Sequence, residues 1–215
     1  MRLIIQSKRI DAHTSRNVIG YVEGKDKNNF IVLTAHYDGI GQIGKYIFPC
    51  ANRNAIGVAT LLDLAAYFSK SENKPRYSIL FIASSDGTNL AGFNYYVENP
   101  AVALDKMKLM INLEALGTGS QGLVVINGTK QKQMFQFLEK ISNDEKYFHK
   151  ILTKIGDDND ACAVFDKKNI PSISINSIGC EHNYINSTYD NYENLPFTKY
   201  ESLFKLLRDF IVLYR

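Results

Sequence analysis

Phe30-Ile31-Val32-Leu33-Thr34-Ala35 is a near-continuous apolar run. A strand with one wet face alternates apolar and polar residues, so a run like this marks a strand covered on both sides. Residues 77–83 repeat the pattern, and residues 18–22, 108–113, 123–126 and 171–175 read as further strands. A turn is expected over 24–29. Between the strands lie stretches of helical period. Val58, Leu61, Leu62, Ala65 and Phe68 form one stripe, and Met134, Phe135, Leu138 and Ile141 another. Leu203, Leu206, Leu207, Phe210 and Leu213 line a last helix expected to start near Pro196-Phe197-Thr198, and residues 89–97 are also expected to be helical. Strands buried on two faces and separated by helices predict an α/β fold, a three-layer αβα sandwich around a mixed, mostly parallel sheet. The 215 residues are of a size for one domain over 1–215.

Composition narrows the function. An apolar share of 45% and a charged share of 22% belong to a globular chain. The net charge of +3 is small, and basic residues such as Lys146, Lys150 and Lys154 are scattered, which argues against a nucleic-acid partner. No apolar run reaches the ~20 residues of a membrane helix. The apolar patch Leu3-Ile4-Ile5 is too short for the core of a signal peptide and has no small-residue cleavage site after it. That reads as a cytoplasmic protein, or an extracytoplasmic one if a leader has been trimmed. Cys50, Cys162 and Cys180 are widely spaced and expected to be buried thiols, not a disulfide framework or a structural zinc site.

Sites in open α/β sheets form at the carboxyl ends of strands. Polar residues stand there at His36 and Asp38, at Ser84, Ser85 and Asp86, at Asn112 and Glu114, and at Asn159 and Asp160. His36-x-Asp38 suits a metal-binding imidazole oriented by a carboxylate. Taken alone it equally suits a histidine hydrogen-bonded in a surface loop.

Longer blocks carry more. Asn17-Val18-Ile19-Gly20, Leu33-Thr34-Ala35-His36-Tyr37-Asp38, and Pro49 to Gly57 running into Val58-Ala59-Thr60-Leu61 come first. Ile111-Asn112-Leu113-Glu114-Ala115-Leu116-Gly117, Asp160 to Phe165, and Tyr184-Ile185-Asn186-Ser187-Thr188-Tyr189-Asp190 follow. In this order, over nearly the whole chain, they resemble the leucyl-aminopeptidase-like zinc metallopeptidase family, which includes a glutaminyl cyclase branch. The resemblance implies hydrolysis of a peptide's N-terminal residue by a water shared between two zinc ions. It places one zinc on His36, the position of Arg53, and Glu114. The other zinc falls on the same Arg53 position, Gly87 and Asn186. Asp86 stands at the general-base position, and Asp38 would orient His36.

By this resemblance Arg53, Gly87 and Asn186 occupy lost ligand positions, and His36 and Glu114 are expected to be the remnant ligands. A catalytic zinc ordinarily has three protein ligands. A guanidinium stays protonated and has no lone pair to give. Against a divalent ion at ~4 Å and an effective dielectric of ~20, its repulsion is on the order of 8 kcal/mol. The expectation is a degenerate site in which Arg53 pairs with Glu114 or Asp86 in place of metal. The expected function is a homologue that has lost zinc and hydrolysis and keeps its cleft for a peptide or protein ligand. The alternative is a zinc-dependent exopeptidase, or a mono-zinc glutaminyl-cyclase-like enzyme, recruiting His182, Asp160 or Glu181 as substitute ligand. Asp190 reads as structural, and His13 and His149 as ordinary histidines. Ser84, Ser85 and Cys162 lack the G-x-S-x-G frame of a nucleophile.

Overall fold

Alternate side chains along one strand separate into two cores. Ile31, Leu33 and Ala35 enter one apolar cluster and Val32 the other, as the two-residue period of a strand requires. The computed structural model describes residues 14–85 and 89–215. Its elements are β1 (Val18–Val22), β2 (Asp26–His36), a hairpin of β3 (Gly41–Ile43) and β4 (Tyr46–Phe48), an irregular helical turn (Ala51–Ala55) and α1 (Ile56–Phe68). β5 (Tyr77–Ser84), α2 (Ala91–Glu98), β6 (Met107–Glu114), β7 (Gly122–Ile126) and α3 (Lys132–Glu145) follow. β8 (Ile151–Lys154), α4 (Ala161–Asp166), β9 (Ser172–Ile178) and α5 (Tyr200–Leu213) complete the order.

A sheet of seven strands runs β1-β5-β2-β6-β9-β7-β8. The β5/β2, β2/β6, β6/β9 and β7/β8 pairs are parallel, and β1/β5 and β7/β9 antiparallel. Helices α1, α3 and α5 cover one face through Leu64, Phe68, Leu138, Leu206 and Phe210. Helices α2 and α4 cover the other through Phe93, Tyr96, Cys162 and Phe165. Each Leu or Phe among them contributes about 1.5–3 kcal/mol when buried. The expected α/β sandwich with a mixed, mostly parallel sheet is the fold observed.

Several boundaries differ from the reading of the sequence. β2 begins at Asp26, inside the expected turn, and its register on β5 breaks between Asp26 and Phe30. The β3–β4 hairpin, β8 and α4 were not foreseen, because short elements carry too few residues to show a period. The last helix starts at Tyr200, because Phe197 takes a left-handed φ of 52° that no helix can continue through. Cys50 and Cys162 are buried, but Cys180 is exposed, contrary to expectation. Among the described residues no helix is long and apolar enough to cross a membrane.

The start of α1 is held close to β6. A Cβ on Gly57 would lie 2.5 Å from Asn54 Nδ2 and 2.7 Å from the Leu113 carbonyl oxygen. Alanine in an exposed helix is better than glycine by up to about 1 kcal/mol. Overpacking here should reverse that sign: Gly57→Ala is expected to lose about 2 kcal/mol in urea unfolding. A variant as stable as the parent would contradict the close approach.

Candidate functional site

The period of two that divides the cores also builds the site. Thr34 and Asn112 are register partners on β2 and β6, and the buried Thr34 hydroxyl donates to Asn112 Oδ1 at 2.9 Å. One pleat further, on the same face, stand His36 and Glu114 at the carboxyl ends of the two strands. His36 Nε2 lies 3.8 Å from Glu114 Oε1. On the other side of the ring, His36 Nδ1 lies 3.0 Å from the Asp38 carbonyl oxygen. The Asp38 carboxylate is farther, at 3.5 Å. The backbone of Asp38, more than its side chain, therefore fixes the ring, with the hydrogen on Nδ1 and Nε2 facing Glu114.

Burial pulls the His36 imidazole down, but the hydrogen bond and charge of Glu114 and the Asp38 carbonyl outweigh it and hold the group above its ordinary range. Burial likewise pushes Glu114 up. Its contact with His36 and the charge of Arg53 win, and the carboxyl sits below its ordinary range.

Arg53 is the second cation on this carboxylate. Its Nη2 lies 2.8 Å from Glu114 Oε1, the oxygen that also faces His36. The Arg53 side chain is 49% exposed and that of Glu114 18%. Water on half the guanidinium keeps the net gain of the pair nearer ~1 kcal/mol than the larger figure for a dry pair.

The backbone around Arg53 is pinned from both sides. Asn54 Nδ2 donates to the Leu113 carbonyl at 2.8 Å, and its Oδ1 accepts from the Ala115 N–H at 3.2 Å. Asn52 Oδ1 accepts from the Gly117 N–H at 2.8 Å. Both asparagines are buried, so the residue between them points the other way, into the cleft. The Asn52 N–H donates to Asp190 Oδ1 at 2.8 Å, and the Ala51 N–H to the Asp190 carbonyl at 2.9 Å. Asp190 Oδ1 also meets His182 Nε2 at 2.9 Å, with both side chains fully buried. Asn52, Asn54 and His182 were missed as positioning groups. The bracketing of Arg53 by two asparagines was the one signal in the sequence.

The cleft has a volume of about 310 Å³. His36, Arg53, Glu114, Asn112, Asp160 and Asn186 line it over an apolar floor of Leu90 and Phe93. Asp160 is raised above its ordinary range, first by burial and then by the charges of Asp157 and Glu114, against a hydrogen bond from the Asp157 N–H. Asn186 is exposed at the rim. Asp86 and Gly87, expected at the general-base and ligand positions, lie outside the described residues, as does His13.

Among the described residues no group of three or more His, Cys, Asp or Glu side chains could hold a metal ion. Among the described residues His36 and Glu114 are thus not joined by a third such donor, and Arg53 Nη2 lies on the Glu114 oxygen that faces His36. His182 offers no substitute, since Nε2 meets Asp190 and Nδ1 the Asn194 carbonyl at 3.2 Å. Glu181 is committed to the Gly119 and Ser120 N–H groups at 3.0 Å and to the Ser120 hydroxyl. Burial would raise the Glu181 carboxyl, but these bonds bring it down to about 2. Asp160 is the one suggested substitute that lines the cleft. The Ser84 hydroxyl is buried and donates to the Ser85 carbonyl, and burial pushes the Cys162 thiol up to about 11, so neither is a prepared nucleophile.

Residues 17–211 match the family described as peptidase family M28. A probable leucine aminopeptidase 2 of Aspergillus oryzae is 28% identical over 127 residues, which cover 59% of this chain and 24% of that protein. The human BOS complex subunit NCLN is 28% identical over 156 residues, covering 64% of this chain and 28% of that protein. The chain thus spans about a quarter of the length of these curated relatives. The crystal structure of a leucine aminopeptidase precursor from Bacteroides thetaiotaomicron superposes with a TM-score of 0.78 at 18% identity, covering 94% of this chain and 77% of that one.

The pH dependence of the site has a definite sign. The raised His36 stabilises the fold fully below its ordinary value of 6.5, and this is lost as pH rises through the folded value. The lowered Glu114 stabilises it above 4.5, and this is lost as pH falls through its folded value. In Glu114→Gln, with chelator present, the His36 titration followed by NMR is expected at lower pH than in the parent, and the stability maximum between these limits should flatten. An unmoved His36 titration would contradict the contact.

Proposed function

Because the chain belongs to peptidase family M28, we propose that it is a non-hydrolytic member whose cleft binds a peptide or protein ligand without zinc. The supporting observation is the Arg53 guanidinium on Glu114 Oε1 at 2.8 Å. A side-chain cation there supplies to Glu114 the positive charge that a metal supplies in a zinc site, and it is attached to the chain. It cannot polarise a scissile carbonyl as a Lewis acid or deliver a metal-bound water. What remains is a polar recess in which Arg53 N–H groups and the amides of Asn112 and Asn186 can hydrogen-bond a peptide over Leu90 and Phe93. A binding role also agrees with a relative whose name makes it a subunit of a complex.

Zinc calorimetry together with an aminopeptidase assay on leucyl-p-nitroanilide tests this reading. The parent is expected to show neither micromolar one-to-one zinc binding nor zinc-dependent hydrolysis. Arg53→Asp, which adds a carboxylate as third ligand beside His36 and Glu114, should bind zinc at least about tenfold more tightly, or ~1.4 kcal/mol. Tight zinc binding by the parent, lost in His36→Ala and accompanied by hydrolysis, would establish the exopeptidase alternative instead.

A further inference from the structure

The turn that carries Arg53 into the cleft has a second side. Behind it, Ala51 and Ala55 of the turn and Ala59 of α1 form the floor of a separate groove of about 340 Å³. The opposite wall is aromatic. Phe197 lies between Tyr192 and Tyr200, with centroids 5.8 Å and 6.3 Å apart, tilted against the first ring and edge-to-face with the second. Phe197 in the middle has a φ of 52°, a conformation costly for a bulky side chain and retained only where the surroundings enforce it. Tyr192 is 75% exposed, leaving a large ring face open to a partner.

The groove has one charged lining residue among those described, Asp63, which follows Ala55 and Ala59 at four-residue intervals along α1. The Tyr200 hydroxyl donates to Asp63 Oδ2 at 2.5 Å and ties that carboxylate to the aromatic wall. From Ala55 to Asp63 the helix rises about 12 Å, enough for one or two large side chains and a charged one beyond them. Apolar along its length and acidic at one end, the groove is complementary to a segment that is apolar along its length and basic at one end.

We propose that this groove is a protein-docking site for a peptide segment of a partner, in which a large apolar side chain packs between Ala55, Ala59 and the aromatic row and a Lys or Arg pairs with Asp63. The site is distinct from the Arg53 cleft and lies on the opposite side of the same turn. Zinc-dependent hydrolysis by the parent would overturn the function proposed above and leave this site untouched.

The test is selection of phage-displayed random dodecapeptides on the whole chain, followed by affinity measurements with the selected peptides. The expected winners combine a large apolar residue with Lys or Arg about one helical turn away. Ala59→Arg, which fills and repels at an exposed position, should weaken them about tenfold or more. Tyr192→Ala should weaken them as well, and Asp63→Lys should disfavour basic peptides and admit acidic ones. Arg53→Gln should leave their affinity unchanged. No enrichment of sequences that combine a large apolar residue with Lys or Arg, binding of such sequences unmoved by all three groove variants, or a concentration-dependent dimer dispersed by Ala59→Arg would overturn the proposal.

Discussion

One carboxylate oxygen organises the site. Glu114 Oε1 receives Arg53 Nη2 at 2.8 Å and faces His36 Nε2 at 3.8 Å, and the rest of the cleft is arranged about that contact. A carboxylate at a buried strand end is costly unless charge or hydrogen bonds compensate it. In a zinc site the metal provides that compensation, whereas here a guanidinium does. A guanidinium held on Glu114 and a divalent ion on the same oxygen would repel each other, which is the physical basis of the proposed metal-free cleft. Partial exposure of Arg53 weakens the pair as a source of stability and leaves its sign and its occupancy of Oε1 unchanged.

Placement of Arg53 depends on residues that never enter the cleft. On either side of Arg53, Asn54 binds the end of β6 and Asn52 the backbone just after that strand, and buried Asp190 grips the Asn52 N–H while paired with buried His182. Gly57 allows α1 to start against Leu113, without which Asn54 could not reach its partners. The long loop after β9 is therefore tied to the strand-end turn, and the same turn presents small alanines to the groove behind. A short irregular segment thereby has one polar face and one apolar face, each turned to its own recess.

The large elements were legible because burial on both faces of β2, β5 and β6 leaves near-continuous apolar runs, and because α1, α3 and α5 keep a helical stripe. The ascending order on one face, Val32, Thr34, His36 beside Met110, Asn112, Glu114, follows from the strand period alone and foretells where the polar cluster emerges. Less could be read where a local propensity was overruled. Phe197 in a left-handed conformation delays α5, and the strand signal of Asp26 to Asn29 was masked by residues typical of turns. Asn52 and Asn54 act through backbone groups far along the chain, and no short pattern encodes such partners. The lone His182 gave no hint that it would be buried against Asp190, since that pair closes only when the loop after β9 folds back. For Asp38 the spacing implied a carboxylate contact, but the nearer contact is a carbonyl.

The most direct test of the central claim is anomalous scattering at the zinc edge from crystals of the parent grown with zinc. The account predicts no anomalous peak in the cleft, with Arg53 on Glu114. A peak bonded to His36 and Glu114, with Arg53 swung away to solvent, would contradict it.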